Sequence, residues 1–222
     1  MEDKLSINPW LNIWIKPRRT IKEIVSYNPN YRLFFLSAIY GFTSLLGFAQ
    51  SFSFGYFLKW PIIFLGAILL APFWGYIIFS FVAWIVKVTG RWIGGIGSFL
   101  HIRTALAWSN VPLIINVFFW IILLIVFRQN LFVEFPGRKL FHGWEVTFFL
   151  CLALLQIVVV IWSLVIYLNA LSQVQEFSIL KAILNVLIAG IVFFVFFFLF
   201  CSLISWIGNI VFQYTYITAG GG

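Results

Sequence analysis

Long apolar runs separated by short polar segments dominate the pattern of this chain. A helix that crosses a bilayer needs about 20 consecutive, mostly apolar residues. Five runs meet that length, at approximately residues 33–52, 60–86, 111–127, 146–168 and 182–204. The pattern therefore predicts an all-α membrane protein, built as a bundle of about five transmembrane helices. It divides the chain into a leader (1–32), a five-helix transmembrane domain (33–212) and a C-terminal tail (213–222).

The leader carries two short amphipathic patterns. Each repeats apolar residues at the i, i+3, i+4 spacing of one helical face, with most cations off that face. The two faces are formed by Trp10, Ile13 and Trp14, and by Ile21, Ile24 and Val25. We predict two interfacial amphipathic helices that lie along the membrane surface. The alternative is that both apolar faces pack against the protein's own loops.

Small residues recur every four positions in the second apolar run, at Ala67, Ala71 and Gly75. This spacing places them on one helical face and lets a neighbouring helix approach closely. Pro72 lies beside the strip and predicts a kink.

A glycine-rich stretch separates the second and third runs. Gly90, Gly94, Gly95 and Gly97 predict a flexible connector, and Ser98 predicts the cap of a short helix. On that helix Phe99, Ile102 and Leu106 share a face, and Arg103 is predicted to project away from it. The pattern leaves open whether residues 91–108 lie on the membrane surface or re-enter it.

The composition supports lipid as the main solvent. Apolar residues make up 63% of the 222 positions and charged residues 9%, whereas soluble domains are about 25% charged. The net charge of +8 raises nucleic acid as a partner. The cations, however, cluster in the leader and beside apolar runs, which favours anionic headgroups and excludes nucleic acid.

The placement of cations also predicts the orientation. With the N-terminus inside, ten of the fourteen basic residues fall on the cytoplasmic side: Lys4, Lys16, Arg18, Arg19, Lys22, Arg32, Lys87, Arg91, Arg103 and Lys181. Four fall outside: Lys59, Arg128, Arg138 and Lys139. The positive-inside rule therefore predicts a cytoplasmic N-terminus and an external C-terminus.

Catalytic and cofactor chemistry find little support in the sequence. His101 and His142 fall on opposite sides of the membrane in this topology and cannot share a metal. All six acidic residues lie in the leader, in loops or at the rim of a span, which disfavours ion-coupled transport. We predict no enzyme activity, no cofactor and no metal. Cys151 and Cys201 lie inside predicted spans, where buried apolar packing is expected.

Polar groups inside the spans are few. They include Asn116, Gln156, Ser163, Asn185, Ser202 and Ser205. We interpret them as hydrogen bonds between helices, with a substrate path as the alternative.

Three sequence islands resemble the Yip family, the Ypt/Rab-interacting protein domain, in its bacterial and archaeal branch. The islands read Asn8-Pro9-Trp10 with the segment 15–21, Gly97-Ser98-Phe99 with 103–109 and Pro112, and Leu171 to Ser178 with Lys181-Ala182. The resemblance implies a five-helix bundle with a cytoplasmic N-terminus in a prokaryotic cytoplasmic membrane. Among eukaryotic relatives it implies a role in membrane organisation or trafficking through Rab GTPases and partner membrane proteins.

These observations favour a non-enzymatic membrane protein that organises membrane lipids or other membrane proteins, including further copies of itself. A small transporter or channel for a lipid-like or apolar solute is the alternative, with Pro72, Pro112, Asn116 and Gln156 as its motivating residues. The candidate lipid- or partner-binding residues are Arg18, Arg19, Arg103, Trp108, Pro112, Glu176 and Lys181. Their alternative roles are topology, capping and packing.

Overall fold

The computed structural model describes residue 5, residues 7–133 and residues 143–219, without the side chains of 144–146, 149 and 209–219. Every regular element in those ranges is helical. The helices are α1 (Pro9–Asn12), α2 (Pro17–Tyr27), α3 (Leu33–Ser51), α4 (Trp60–Trp92), α5 (Phe99–Ser109), α6 (Ile115–Phe127), α7 (Trp144–Val174) and α8 (Ile179–Ala219). Short 3-10 turns precede α4 and lie on both sides of α6. The predicted all-α class is confirmed.

Five segments within the described ranges are long and apolar enough to cross a membrane. They are Leu33–Ser51, Trp60–Trp92, Val111–Phe132, Leu150–Val174 and Ile179–Gly208. The chain is therefore a multi-pass membrane protein, as predicted. Three helices exceed the predicted spans, since α4 continues to Trp92, α7 covers Trp144–Val174 and α8 continues to Ala219, into the predicted tail. The division into leader, membrane domain and tail stays a prediction.

The close approach predicted for the small residues of α4 is confirmed, and α3 is the partner helix. A Cβ added to Gly75 would overlap the Ser37 carbonyl oxygen, and one added to Gly41 would overlap the Ala71 carbonyl oxygen. Gly75 therefore meets Ser37 while Ala71 meets Gly41, so the two helices run antiparallel with their backbones in contact. Pro72 lies inside α4, and the helix continues through it.

The length of α4 creates a cap at one end of the bundle. Its 33 residues span about 50 Å, well beyond the roughly 30 Å of a hydrocarbon core. Because Gly75 meets Ser37 near the start of α3, the last turns of α4 extend past that start. Helix α5 packs against α2, α3, α4 and α7 in this region. We call the assembly of α1, α2, α5, the end of α4 and the α7–α8 turn the end cap.

The apolar faces of the leader pack against protein. Ile13, Ile21 and Ile24 are fully buried, in the same cluster as Trp108 of α5 and Ala170 of α7. Of the two alternatives for these faces, the structure shows packing on the protein itself. Pro17 occupies the first turn of α2, as its sequence position predicts.

The expectation for the cysteines is wrong. Cys151 and Cys201 are free and exposed on the surface of the chain. Most of α8 is equally exposed, including the phenylalanine-rich stretch Phe193–Phe200. Lipid is a good solvent for such side chains, so an apolar span can leave them outside the protein core.

Candidate functional site in the end cap

The three sequence islands meet in the end cap, around the indole of Trp108. This side chain is fully buried. Its ring lies 5.0 Å from that of Trp10 and stacks at 6.0 Å on that of Tyr31. Its Nε1 donates a hydrogen bond of 3.3 Å to the Tyr31 backbone oxygen. Val174 of the third island packs against the same buried cluster. Trp108 therefore joins the leader to the transmembrane helices.

Arg103 lies one turn before Trp108 on α5 and is 5% exposed. The prediction that it projects away from the face of Phe99, Ile102 and Leu106 is wrong, because its guanidinium lies over the Phe99 ring. Its burial follows from the neighbours that α5 has on several sides. Its Nη1 donates to the Tyr76 hydroxyl at 2.7 Å and to Ser80 Oγ at 3.3 Å. Its Nη2 donates to Asn30 Oδ1 at 3.0 Å. One side chain thus connects α5, α4 and the α2–α3 loop.

The charge of Arg103 is met by neutral groups. No carboxylate pairs with it within the described residues. Its guanidinium carbon lies 4.8 Å from the Tyr76 ring centroid and 5.2 Å from that of Phe99. Its Nε is buried and makes no hydrogen bond to any described residue. The site therefore presents a desolvated cation, held between two rings, with unused donor capacity.

The neighbouring threonine holds the same loop. Thr104 Oγ1 donates to the carbonyl oxygen of Pro29 and, at 2.8 Å, to that of Leu100. Asn30 N in turn donates to Asn28 Oδ1 at 2.8 Å. The loop that presents Asn30 to Arg103 is therefore fixed from both sides.

A second polar cluster in the end cap is centred on Gln175, which sequence reasoning did not single out. Its Oε1 accepts a hydrogen bond of 3.0 Å from the Gly97 backbone N–H. A Cβ on Gly95 would lie 2.6 Å from the Phe177 ring, and one on Gly97 would lie 2.9 Å from Gln175 Oε1. The predicted flexible connector is therefore an anchored loop, and its glycines make room for the α7–α8 turn.

Asn185 extends this cluster along α8. Its Oδ1 accepts from Thr89 Oγ1 at 2.7 Å, and its Nδ2 donates to the Val86 carbonyl at 3.3 Å. On α7, Ser163 Oγ donates to the Ser109 carbonyl at 2.7 Å. The predicted hydrogen bonding between helices is confirmed at Asn185 and Ser163.

Glu176 and Lys181 lie on the exposed side of the α7–α8 turn. Glu176 has φ 56°, a left-handed conformation that glycine usually adopts at this position after a helix. Phe177 N donates back to the Ser172 carbonyl at 2.9 Å, which closes a Schellman turn. Lys181 Nζ lies 5.8 Å from the Phe177 ring centroid. Both charged groups remain accessible.

The predicted site residues thus separate into two groups. Trp108, Arg103 and Pro112 are buried, and Pro112 lies in the 3-10 turn that joins α5 to α6. Arg18 and Arg19 are exposed on α2, where Arg19 Nε is 3.2 Å from Glu23 Oε1. The buried group holds the end cap together, while the exposed group forms part of its surface.

Described residues of the spans line two lateral cavities. One of about 480 Å³ lies between α4 and α6, and Trp60 and Arg128 are among the residues that line it. A second, of about 240 Å³, is almost entirely apolar and lies between α4, α7 and α8. Neither is lined by Asn116 or Gln156. Within the described residues, no group of three His, Cys, Asp or Glu side chains is placed to hold a metal ion.

Comparison with known proteins gives one result. The family model of the Yip1 domain matches residues 11–201, which include nearly all of the three islands and four complete spans with most of the fifth. No curated protein and no solved structure matches the chain. The match covers most of the chain, and the chain therefore belongs to the Yip1 domain family.

Proposed function

We propose that this protein organises anionic membrane lipids around its end cap, without catalysis, and that the end cap faces the cytoplasm. The observation that carries the proposal is the mixed character of the end-cap surface. Leu11 and Ile15 are 68% and 81% exposed, next to the exposed cations Arg18 and Arg19. Aliphatic side chains beside cations are the combination that binds the surface of an anionic bilayer.

The end of α4 repeats this combination. Trp92 and Ile96 are 64% and 68% exposed, beside the exposed Arg91. Tryptophan is favoured at the headgroup level. Two separate segments of the end cap therefore offer exposed apolar side chains and positive charge, which supports lipid contact there. We call this surface the rim; it consists of Leu11, Ile15, Arg18, Arg19, Lys22, Arg91, Trp92 and Ile96.

The packing of the leader supports a fixed rather than a mobile lipid-binding surface. Because Ile13, Ile21 and Ile24 are buried inside the protein, the cationic face of α2 is held outward in one orientation. Each Lys or Arg near an anionic surface contributes about 1 kcal/mol to the attraction. Arg18 and Lys22 then contribute roughly 2 kcal/mol together, reduced by salt, and Arg19 adds less because it is paired with Glu23.

The proposal is tested with the full chain in nanodiscs of mixed phosphatidylcholine and phosphatidylglycerol. Spin-labelled lipids report which headgroup is enriched next to the protein. The triple variant Arg18→Gln, Arg19→Gln, Lys22→Gln is expected to lower the phosphatidylglycerol enrichment. The matched control, Lys59→Gln with Arg128→Gln, removes cations outside the end cap. It should leave most of the phosphatidylglycerol enrichment in place. Equal enrichment in both variants would refute the proposal.

A second candidate function is the movement of a lipid-like or apolar solute. The cavity between α4 and α6 favours it, since its volume lies in the range of small-molecule sites and it opens laterally between two spans. Ile125 at its edge is 70% exposed. Filling the cavity with Leu124→Trp should then slow the transbilayer exchange of a fluorescent phospholipid in proteoliposomes. If the unmodified protein gives exchange no faster than protein-free vesicles, this function is excluded.

A further inference from the structure

The end cap contains a cation whose environment is incomplete. Arg103 is 5% exposed, yet the described residues supply three neutral oxygen acceptors and no carboxylate. Its Nε has no hydrogen-bond partner among them. A buried charge is strongly unfavourable unless an opposite charge and hydrogen bonds compensate it. The geometry therefore calls for an anion at the guanidinium.

The position of Arg103 in the bundle identifies the anion's source. Its partner Asn30 lies three residues before Leu33, where α3, the first span, begins. Its partner Tyr76 follows Gly75, which contacts Ser37 in the first turns of the same helix. The guanidinium is therefore level with the start of a transmembrane helix, where phospholipid headgroups lie.

Access to Arg103 runs past two exposed residues. Asn30 is exposed, and Tyr76 is 41% exposed on the outer face of α4. The Asn30 amide oxygen is a neutral acceptor on an exposed side chain. It can move outward, so that Arg103 Nη2 is free to donate to a stronger, charged acceptor. Phosphate accepts from two guanidinium donors at once, and charge-assisted bonds of this kind are about twice as strong as neutral ones.

We propose that Arg103 binds the phosphodiester of one membrane phospholipid. The phosphate accepts from Nε and Nη2 in place of Asn30, while the Tyr76 and Phe99 rings enclose the guanidinium plane. This is a discrete site for a single lipid. It differs from the diffuse attraction proposed for the rim, and it does not depend on Arg18 or Arg19.

Replacing the proposed anion with an internal one provides the test. Asn30→Asp places a carboxylate where Asn30 Oδ1 now lies 3.0 Å from Nη2, so the protein neutralises Arg103 by itself. Native mass spectrometry of the full chain, released from micelles that contain phosphatidylglycerol, counts the lipids retained. One tightly retained lipid is expected for the unmodified protein, with retention lowered at least about tenfold in Asn30→Asp, since bonds to charged groups contribute about that factor or more.

The matched control is Asn28→Asp, which adds the same charge two residues away. Its side-chain oxygen can still accept the hydrogen bond from Asn30 N, and it is not among the hydrogen-bond acceptors of Arg103 in the described residues. The retained lipid should persist in this variant. If Asn28→Asp and Asn30→Asp lose the lipid equally, or if neither loses it, Arg103 is a structural clip and the proposal is overturned.

Three further arms remove the remaining explanations. Asn30→Asp should unfold at the same temperature as the unmodified protein or higher, so that lipid loss in a less stable protein would count against the site. Inorganic phosphate added in place of lipid should neither stabilise the protein nor displace the lipid; if it does both, the ligand is free phosphate and the lipid assignment is wrong. The rim variant Arg18→Gln, Arg19→Gln, Lys22→Gln should keep the retained lipid, which separates this site from the proposed function.

Discussion

The contact between α3 and α4 permits a sharp prediction about stability. A Cβ added to Gly75 would overlap the Ser37 carbonyl oxygen and lie 2.7 Å from the Ser37 carbonyl carbon. Ordinary van der Waals contact begins at 3.4 Å. Because backbone atoms cannot rotate away as a flexible side chain can, Gly75→Ala requires the two helices to separate by on the order of 1 Å.

The expected cost follows from the density of helix packing. Inserting a methyl group into a close-packed contact typically costs about 1–3 kcal/mol, and separation of α3 from α4 also loosens the neighbouring Gly41–Ala71 contact. We expect Gly75→Ala to lower the free energy of unfolding by about 3 kcal/mol. The measurement is reversible unfolding of the full chain in mixed micelles, followed by tryptophan fluorescence.

The same helix supplies the control. Gly66 lies on α4 with no atom within 4 Å of its Cβ position, so Gly66→Ala makes the same chemical change in open space. It should leave stability unchanged or raise it slightly. The double variant Gly41→Ala, Gly75→Ala should cost less than the sum of the two single variants, because one separation of the helices relieves both overlaps. Equal stability of Gly75→Ala and Gly66→Ala would refute the reasoning.

Three more predictions concern single positions. Glu176→Gly should raise stability by about 0.5–1 kcal/mol in the same unfolding assay, since glycine removes the left-handed strain at a smaller entropic cost; a loss of stability would show that the Glu176 side chain makes a contact worth more than that strain. Asn185→Leu should lower it by about 0.6–1.7 kcal/mol, the range for hydrogen bonds between membrane helices, because its bonds to Thr89 and to the Val86 carbonyl are lost. No change would mean that these bonds are not formed. For the orientation, Ser178→Cys should resist a membrane-impermeant maleimide in intact cells while Lys59→Cys reacts, and the reverse pattern would place the end cap outside.

The sequence predicted the elements of this fold well, because membrane helices are specified by long local runs. The spacing of Ala67, Ala71 and Gly75 also predicted a close crossing. It did not predict Ser37 and Gly41 as the partners, since nothing in a four-residue repeat says which helix will contact it. Contact partners depend on the arrangement of the whole bundle.

Arg103 shows why the candidate site was harder to predict than the helices. The prediction set it apart from the apolar face of Phe99, Ile102 and Leu106, although it lies one turn after Phe99 and contacts that ring. That argument assumes one buried face, whereas α5 packs against α2, α3, α4 and α7. Gln175 was missed for a related reason, because its partner Gly97 is 78 positions away in the chain and no local pattern connects the two.

The burial of the leader has a consequence for how the chain is assembled during synthesis. Ile13, Ile21 and Ile24 are made first, but their cluster is completed by Trp108 and Ala170, which follow about 90 to 150 residues later. At roughly 5–20 residues per second, the apolar face of the leader waits for about 10–30 s before α7 exists. A nascent amphipathic helix can spend that time on the membrane surface. The packing of α1 and α2 into this cluster can therefore be completed only after α7 has been made, late in the synthesis of the chain.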